Sequence, residues 1–158
     1  MTDDASIEQE LAGFAFFEGL DPEYLHFLAG RAKRRRFDAA HVLHRHSDRA
    51  TSFYVVCKGR ISIEVPAIQG PALQLQDLGP GEMLGWSWLI PPYRWSFLIR
   101  AEQDAEVLEF DGQAVLAKCE ADPKFGYEIL KRFSGLMSER LAHARQRMID
   151  EWSLAGFA

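Results

Sequence analysis

Positive charge is the first thing this chain is short of. Its 18 Lys and Arg are outnumbered by 23 Asp and Glu, leaving a formal net charge of -5. Neutralising a phosphate backbone takes clustered cationic surface, so a general nucleic-acid binder is excluded. Long hydrophobic runs are missing too. Every apolar stretch is soon broken by charge or proline, so no segment reads as a bilayer-spanning helix. The opening MTDDASIEQE is acidic where a secretory leader is basic and then apolar. Cysteine is scarce: Cys57 and Cys119 have no metal-type spacing and read as reduced thiols, which together with the missing leader points to the cytoplasm. No internal repeat or low-complexity tract occurs. No catalytic set emerges either. Ser87 and Ser96 lack a base and an orienting partner, and Glu102, Asp104 and Glu106 read as part of a strand-connecting stretch. An enzyme is not expected, and no metal site is.

What is present is an ordinary globular composition, 47% hydrophobic, in 158 residues, enough for one domain with a substantial core. Residues 6–18 carry Leu11, Phe14 and Phe17 at helical spacing. Asp21-Pro22 then supplies an N-cap and a first-turn proline for a second helix reaching about Ala32. From Arg36 to Phe110 the period changes to two. Phe53, Val55 and Cys57 share one face, Ile61, Ile63 and Val65 alternate after Gly59, and Leu73, Leu75 and Leu78 follow. Phe97, Ile99 and Ala101, then Val107, Leu108 and Phe110, complete a set of short strands of the kind that close a barrel or jelly roll. After Asp111 the helical period returns, with a short helix over 113–120 and, from Asp122-Pro123, a long one to about Glu151. Three segments are expected: N-terminal helices over 1–35, a barrel over 36–111 and C-terminal helices over 112–158, forming one domain.

The most informative stretch is Leu78–Ala101, LGPGEMLGWSWLIPPYRWSFLIRA. A glycine-rich turn opening onto a short helix leaves backbone N–H groups aimed at one point, which suits an anion. Arg94 follows as a bidentate counter-charge. This resembles the phosphate-binding cassette of cyclic nucleotide-binding domains, as in the catabolite-activator and FNR family and in kinase regulatory subunits. Phe17-Glu18-Gly19-Leu20, Val42-Leu43, Phe53–Val56, Gly59–Ile61 and Leu78–Glu82 resemble that family in the same order, so the likeness spans nearly the whole chain. It implies an α+β, mainly β fold: a jelly-roll-like barrel flanked by N-terminal helices and a long C-terminal helix. It implies a regulatory sensor that binds a cyclic nucleotide or another small anion, with no other cofactor. The family's transcription factors carry a helix-turn-helix after the long helix. The chain stops ten residues past Met148, which leaves no room for one, so a stand-alone module that binds no DNA and signals to an effector protein in trans is expected.

Two departures bear on the ligand. The glutamate that accepts the ribose hydroxyl in the family is Trp86 here, and an indole donates one hydrogen bond and accepts none. A hydroxyl left without its acceptor costs about 1–3 kcal/mol. Counting without gaps from Gly85 to Ala101 puts Trp95 at the family's arginine position and Arg94 one residue early. On a strand such a slip reverses a side chain, unless the Pro91-Pro92 turn absorbs it. The expected ligand residues are Gly85, Trp86, Ser87, Trp88, Arg94, Trp95 and Ser96, with Trp88 and Trp95 shaping the apolar side. Against this stands a degenerate pocket plugged by Trp86, Trp88 and Trp95, which makes the chain a protein-interaction module.

Three further features have simpler explanations. His41, His44 and His46 read as solvent-facing or hydrogen-bonded rather than as a metal or haem site. Lys33–Arg36 are read as cations at the end of the second helix, where its dipole favours them. Leu130, Met137, Leu141, Ala144 and Met148 form a near-heptad stripe on the long helix, which predicts a homodimer seam along its second half.

Overall fold

The architecture was obtained as a computed structural model that describes residues 3–65 and 73–156. Helix α1 spans Asp3–Ala12, with Asp3 and Asp4 in its first turn, where the positive end of the helix dipole favours acids. Ile7 and Leu11, one turn apart, are its buried positions. The single helix expected over 6–18 stops short. At Gly13 the bonds tighten to the i−3 pattern, and a separate 3-10 turn at Ala15–Phe17 swings Phe17 into the core. Helix α2, Pro22–Ala29, starts as expected: the Asp21 carboxylate accepts from Glu23 N at 2.9 Å and Pro22 fills the first turn.

Among the described residues, eight strands follow: β1 Ala32–Phe37, β2 Val42–His44, β3 Ser52–Lys58, β4 Ile61–Val65, β5 Leu73–Leu78, β6 Met83–Leu84, β7 Leu98–Ala101 and β8 Ala105–Asp111. They make two antiparallel four-stranded sheets, in the orders β1-β8-β3-β6 and β2-β7-β4-β5. Strand β1 corrects the reading of the basic run. Lys33–Arg36 lie on a strand paired with β8, not at a helix end. The three arginines are paired: Arg34 reaches Glu106 across the ladder at 2.9 Å and Glu10 of α1 at 2.6 Å, Arg35 reaches Glu109 at 2.8 Å, and Arg36 reaches Glu106 at 3.0 Å. Glu106 and Glu109 stand some seventy residues away in sequence and Glu10 lies 24 residues before Arg34, all out of reach of a local pattern.

Strand β3 is buried on both faces, and its alternation feeds two cores. Phe53 and Val55 point to a cluster under the helices, while Tyr54 and Val56 point between the sheets. The reversal from β3 to β4 depends on Gly59. Its φ is +81°, and a Cβ there would fall 2.2 Å from the Asp104 carbonyl oxygen.

Helix α3, Gly112–Ala121, is capped by the Asp111 carboxylate. Helix α4 runs Pro123–Gly156. Its first turns carry Phe125, Ile129 and Phe133 at four-residue spacing, all buried in the cluster under the helices. Phe53 stacks on Phe110 and on Trp88, each at 4.6 Å, and Phe133 meets both Phe53 and Trp88 edge-on at 5.4 and 5.3 Å. Arg132 ties the helix to the N-terminal segment through the carbonyls of Phe16 and Glu18. Among the described residues, no helix is long and apolar enough to cross a membrane.

Candidate functional site

The loop after β6 turns on Gly85, whose φ of +95° is a conformation that L side chains rarely adopt. The next three residues diverge. Trp88 drops into the core under the helices, its Nε1 donating to Gly85 O at 3.1 Å. Trp86 stays half-buried, with the Arg140 guanidinium of α4 lying 5.1 Å from its ring centre. Among the described residues, no acceptor is recorded for the backbone N–H of Trp86 or Ser87.

The position of Arg94 is settled by a short ladder that no local pattern announces. Residues 93–95 pair with 47–50: Ala50 N donates to Tyr93 O, Trp95 N to Asp48 O and Ser47 N to Trp95 O, each at 2.8 Å, around an Arg49–Arg94 bridge. Extended backbone alternates its side chains, so one of two neighbours faces in and the other out. Trp95 faces in, 4% exposed, stacked on His44 at 4.3 Å with its six-membered ring against Gly85. A Cβ added at Gly85 would lie 2.6 Å from Trp95 Cη2. Arg94 faces out, exposed, with its Nη1 donating to the Ser47 carbonyl at 2.8 Å.

Beside this loop is a cavity of about 560 Å³. One wall is the loop and its return strand: Leu84, Gly85, Trp86, Ser87, Trp95, Ser96 and Phe97. The floor comes from the second sheet, with Ile63, Leu75 and Ile99. The roof is the far half of α4, with Met137, Arg140, Leu141, Ala144, Arg147 and Met148. Of the seven residues expected to hold a ligand, Gly85, Trp86, Ser87, Trp95 and Ser96 are brought together there. Trp88 and Arg94 are not: the first is spent on the core, the second on the Ser47 loop.

The cations at the cavity come instead from α4, and the reading of the sequence missed them. Arg147 donates to the carbonyls of Gln74 and Leu75 at 2.8 and 2.7 Å, tying the helix to β5. Arg140 donates through Nη2 to the Met83 carbonyl, while its Nε is buried without a partner among the described residues. Burial pulls the Arg140 guanidinium down to about 10, countered in part by Glu82 and Glu139, so it remains charged at neutral pH. The available signal was two arginines flanking the apolar stripe, each next to one of its members, Leu141 and Met148.

The histidines separate. His44 Nε2 lies 2.7 Å from the Tyr54 hydroxyl, His41 stacks on Phe37, and His46 is exposed. No group of three metal-ligating side chains occurs among the described residues. Both cysteines are free; burial pushes Cys57 up to about 12 and Cys119 up to about 11, so neither is a thiolate at neutral pH.

Comparison with known proteins agrees with the fold. A cyclic nucleotide-binding domain from Methylobacillus flagellatus superposes with a TM-score of 0.77 at 15% identity, covering 94% of this chain and 83% of that one. The regulatory domain of Toxoplasma gondii PKA, solved with cAMP, gives 0.73 at 15% identity over 87% of this chain and 50% of that one. A c-di-GMP responsive global regulator of Xanthomonas campestris gives 0.70 at 22% identity, over 87% and 66%. No curated protein sequence matches significantly. The family model for the cyclic nucleotide-binding domain matches residues 34–122, more than half of the chain. The jelly roll between its helices and that match carry the same conclusion: the chain belongs to the cyclic nucleotide-binding domain family, whose members include regulators of the catabolite-activator and FNR type.

Proposed function

We propose that this is a regulatory sensor domain that takes a small anionic ligand into the cavity between the Gly85 loop and α4. The observation that carries the reading is the cavity itself. At about 560 Å³ it falls in the range of small-molecule sites, and it is mostly apolar with a few polar groups at fixed places. Its walls are the family's cassette loop and the helix that closes the domain. Gly85, Trp86, Ser87, Trp95 and Ser96 shape the ligand, and Arg140 replaces Arg94 as the counter-charge.

A ligand shifts a conformational equilibrium only by contacting the two states differently. Here it touches the loop and the roof at once, so occupancy biases where the far half of α4 lies. That helix is the output, read by a second copy through the exposed Leu141 and Met148 and by a separate effector protein. The neighbouring structures were solved with or named for different nucleotides, cAMP in one and c-di-GMP in another, which fits one scaffold serving several ligands. Cyclic AMP in the family's usual pose does not fit these residues. Trp86 offers the ribose no acceptor, and the Trp95 ring lies against the turn glycine.

A second reading has its own observation. With Trp95 packed on Gly85 and Arg94 turned outward, the family's phosphate cradle is closed, as in an interaction module that kept the fold and lost the ligand. Native mass spectrometry of gently purified protein, with tryptophan fluorescence titrations of cyclic AMP and cyclic GMP, separates the two. The sensor reading expects a bound small molecule and weak or no response to either nucleotide. An empty protein that no small molecule perturbs favours the interaction module.

A further inference from the structure

Two buried hydrogen-bond donors, Trp95 Nε1 and Arg140 Nε, have no partner among the described residues. Both belong to side chains that line the cavity. They flank one dipeptide: the Trp95 ring is against Gly85, and the Arg140 guanidinium lies over the ring of Trp86. A buried donor without an acceptor costs about 1–3 kcal/mol, and a buried cation without a counter-ion costs more. Among the described residues, Glu82 and Glu139 act on Arg140 only from beyond ion-pair distance, and its one hydrogen-bond acceptor is the Met83 carbonyl. Native structures seldom leave such groups unmet unless something outside the chain meets them.

We infer that the cavity takes an apolar monocarboxylic acid, its carboxylate received by the Trp95 indole N–H and the Arg140 guanidinium. The inference rests on the sensor reading above and names its ligand class. Two acceptor oxygens match two unspent donors, and the planar guanidinium suits a carboxylate. One charge is what the site balances. Arg147 spends its Nη1 on the β5 carbonyls, and Glu151 at the roof offsets its charge and opposes a second anionic group. The body of the ligand meets Ile63, Leu75, Phe97, Ile99 and Met137, with no acceptor placed for a sugar. The acid also spans the loop and α4, because Trp95 belongs to one and Arg140 to the other. Its binding therefore fixes the helix that the sensor reading treats as the output.

The test is calorimetric titration of the full chain with decanoate and 2-naphthoate, each against its neutral amide, and with cyclic AMP. At least one acid should bind tenfold or more tightly than its amide. Arg140→Met should bring that ratio close to one. Trp95→Phe, which keeps a ring and loses the N–H, should weaken the acid about three- to tenfold. Ratios near one for both pairs in the wild-type protein overturn the inference whatever the variants do. Cyclic AMP binding more tightly than either acid overturns it too, while leaving a sensor in place. If none of the five compounds binds and native mass spectrometry finds the protein empty, the ligand class and the sensor reading fall together.

Discussion

The two halves of α4 do different work. Toward its start, Phe125, Ile129 and Phe133 are sealed in the core, with Phe133 fully buried. Toward its end, Leu141 is 71% exposed and Met148 64%, and the helix is held by Arg140 on the Met83 carbonyl and Arg147 on β5. One continuous helix is thus anchored hydrophobically at one end and latched by hydrogen bonds at the other. Hydrophobic anchoring spreads over many contacts and gives way only with the fold. A few hydrogen bonds to strand carbonyls, each worth about 1 kcal/mol net, let go separately. That contrast is what a helix needs in order to carry a signal without unfolding the domain.

The largest expected break falls on the anchored half. Phe133→Ala removes a ring that meets Phe16, Phe53 and Trp88, and should cost about 3–5 kcal/mol in urea unfolding. A loss below 1 kcal/mol would mean that this half is not core. Next comes the cavity wall. Gly85→Ala must hold a positive φ and push the Trp95 ring aside, so a loss of about 1–3 kcal/mol is expected. The tryptophan emission should shift with it, and an unchanged spectrum would show that Trp95 does not pack there. On the latched half, Leu141→Ser with Met148→Ser should leave unfolding within about 0.5 kcal/mol per site. Light scattering is expected to find the wild type dimeric and the pair monomeric; a wild-type monomer would remove the seam.

The smallest effect is a pH dependence. Burial holds His44 below the ordinary histidine value of 6.5, with its ring stacked on Trp95 and hydrogen-bonded to Tyr54. The folded state therefore prefers the neutral ring. This contribution is complete above about 6.5 and is lost as the pH falls through that value toward the lower folded pKa. His44→Gln should flatten the slope of stability against pH just below that value, and an unchanged slope would place the titration elsewhere.

How much of this the sequence disclosed depends on the range of the interaction that decided it. Phe53 through Val56 read as a strand because a period of two is local, and Asp21-Pro22 and Asp122-Pro123 read as helix starts because caps are local. The reach of α2 was overestimated because Lys33–Arg36 look the same at a helix end as on a strand. Only Glu106 and Glu109, on the paired strand, decide between the two. The gap between Arg94 and Trp95 stayed open for the same reason: the ladder with Ser47–Ala50 sets which side chain faces in. Arg140 went unnoticed because a flanking arginine on a long amphipathic helix looks solvated. Its burial depends on Trp86 and Met83, more than fifty residues earlier.

Native-state hydrogen exchange along α4 tests the central claim most directly. Amides from Phe125 to Phe133 should exchange only through global unfolding, and those from Leu141 to Glu151 at least a hundredfold faster through local opening, by roughly 3 kcal/mol. Equal protection along the whole helix would contradict the account, because a roof that never lifts without the fold cannot report what lies beneath it.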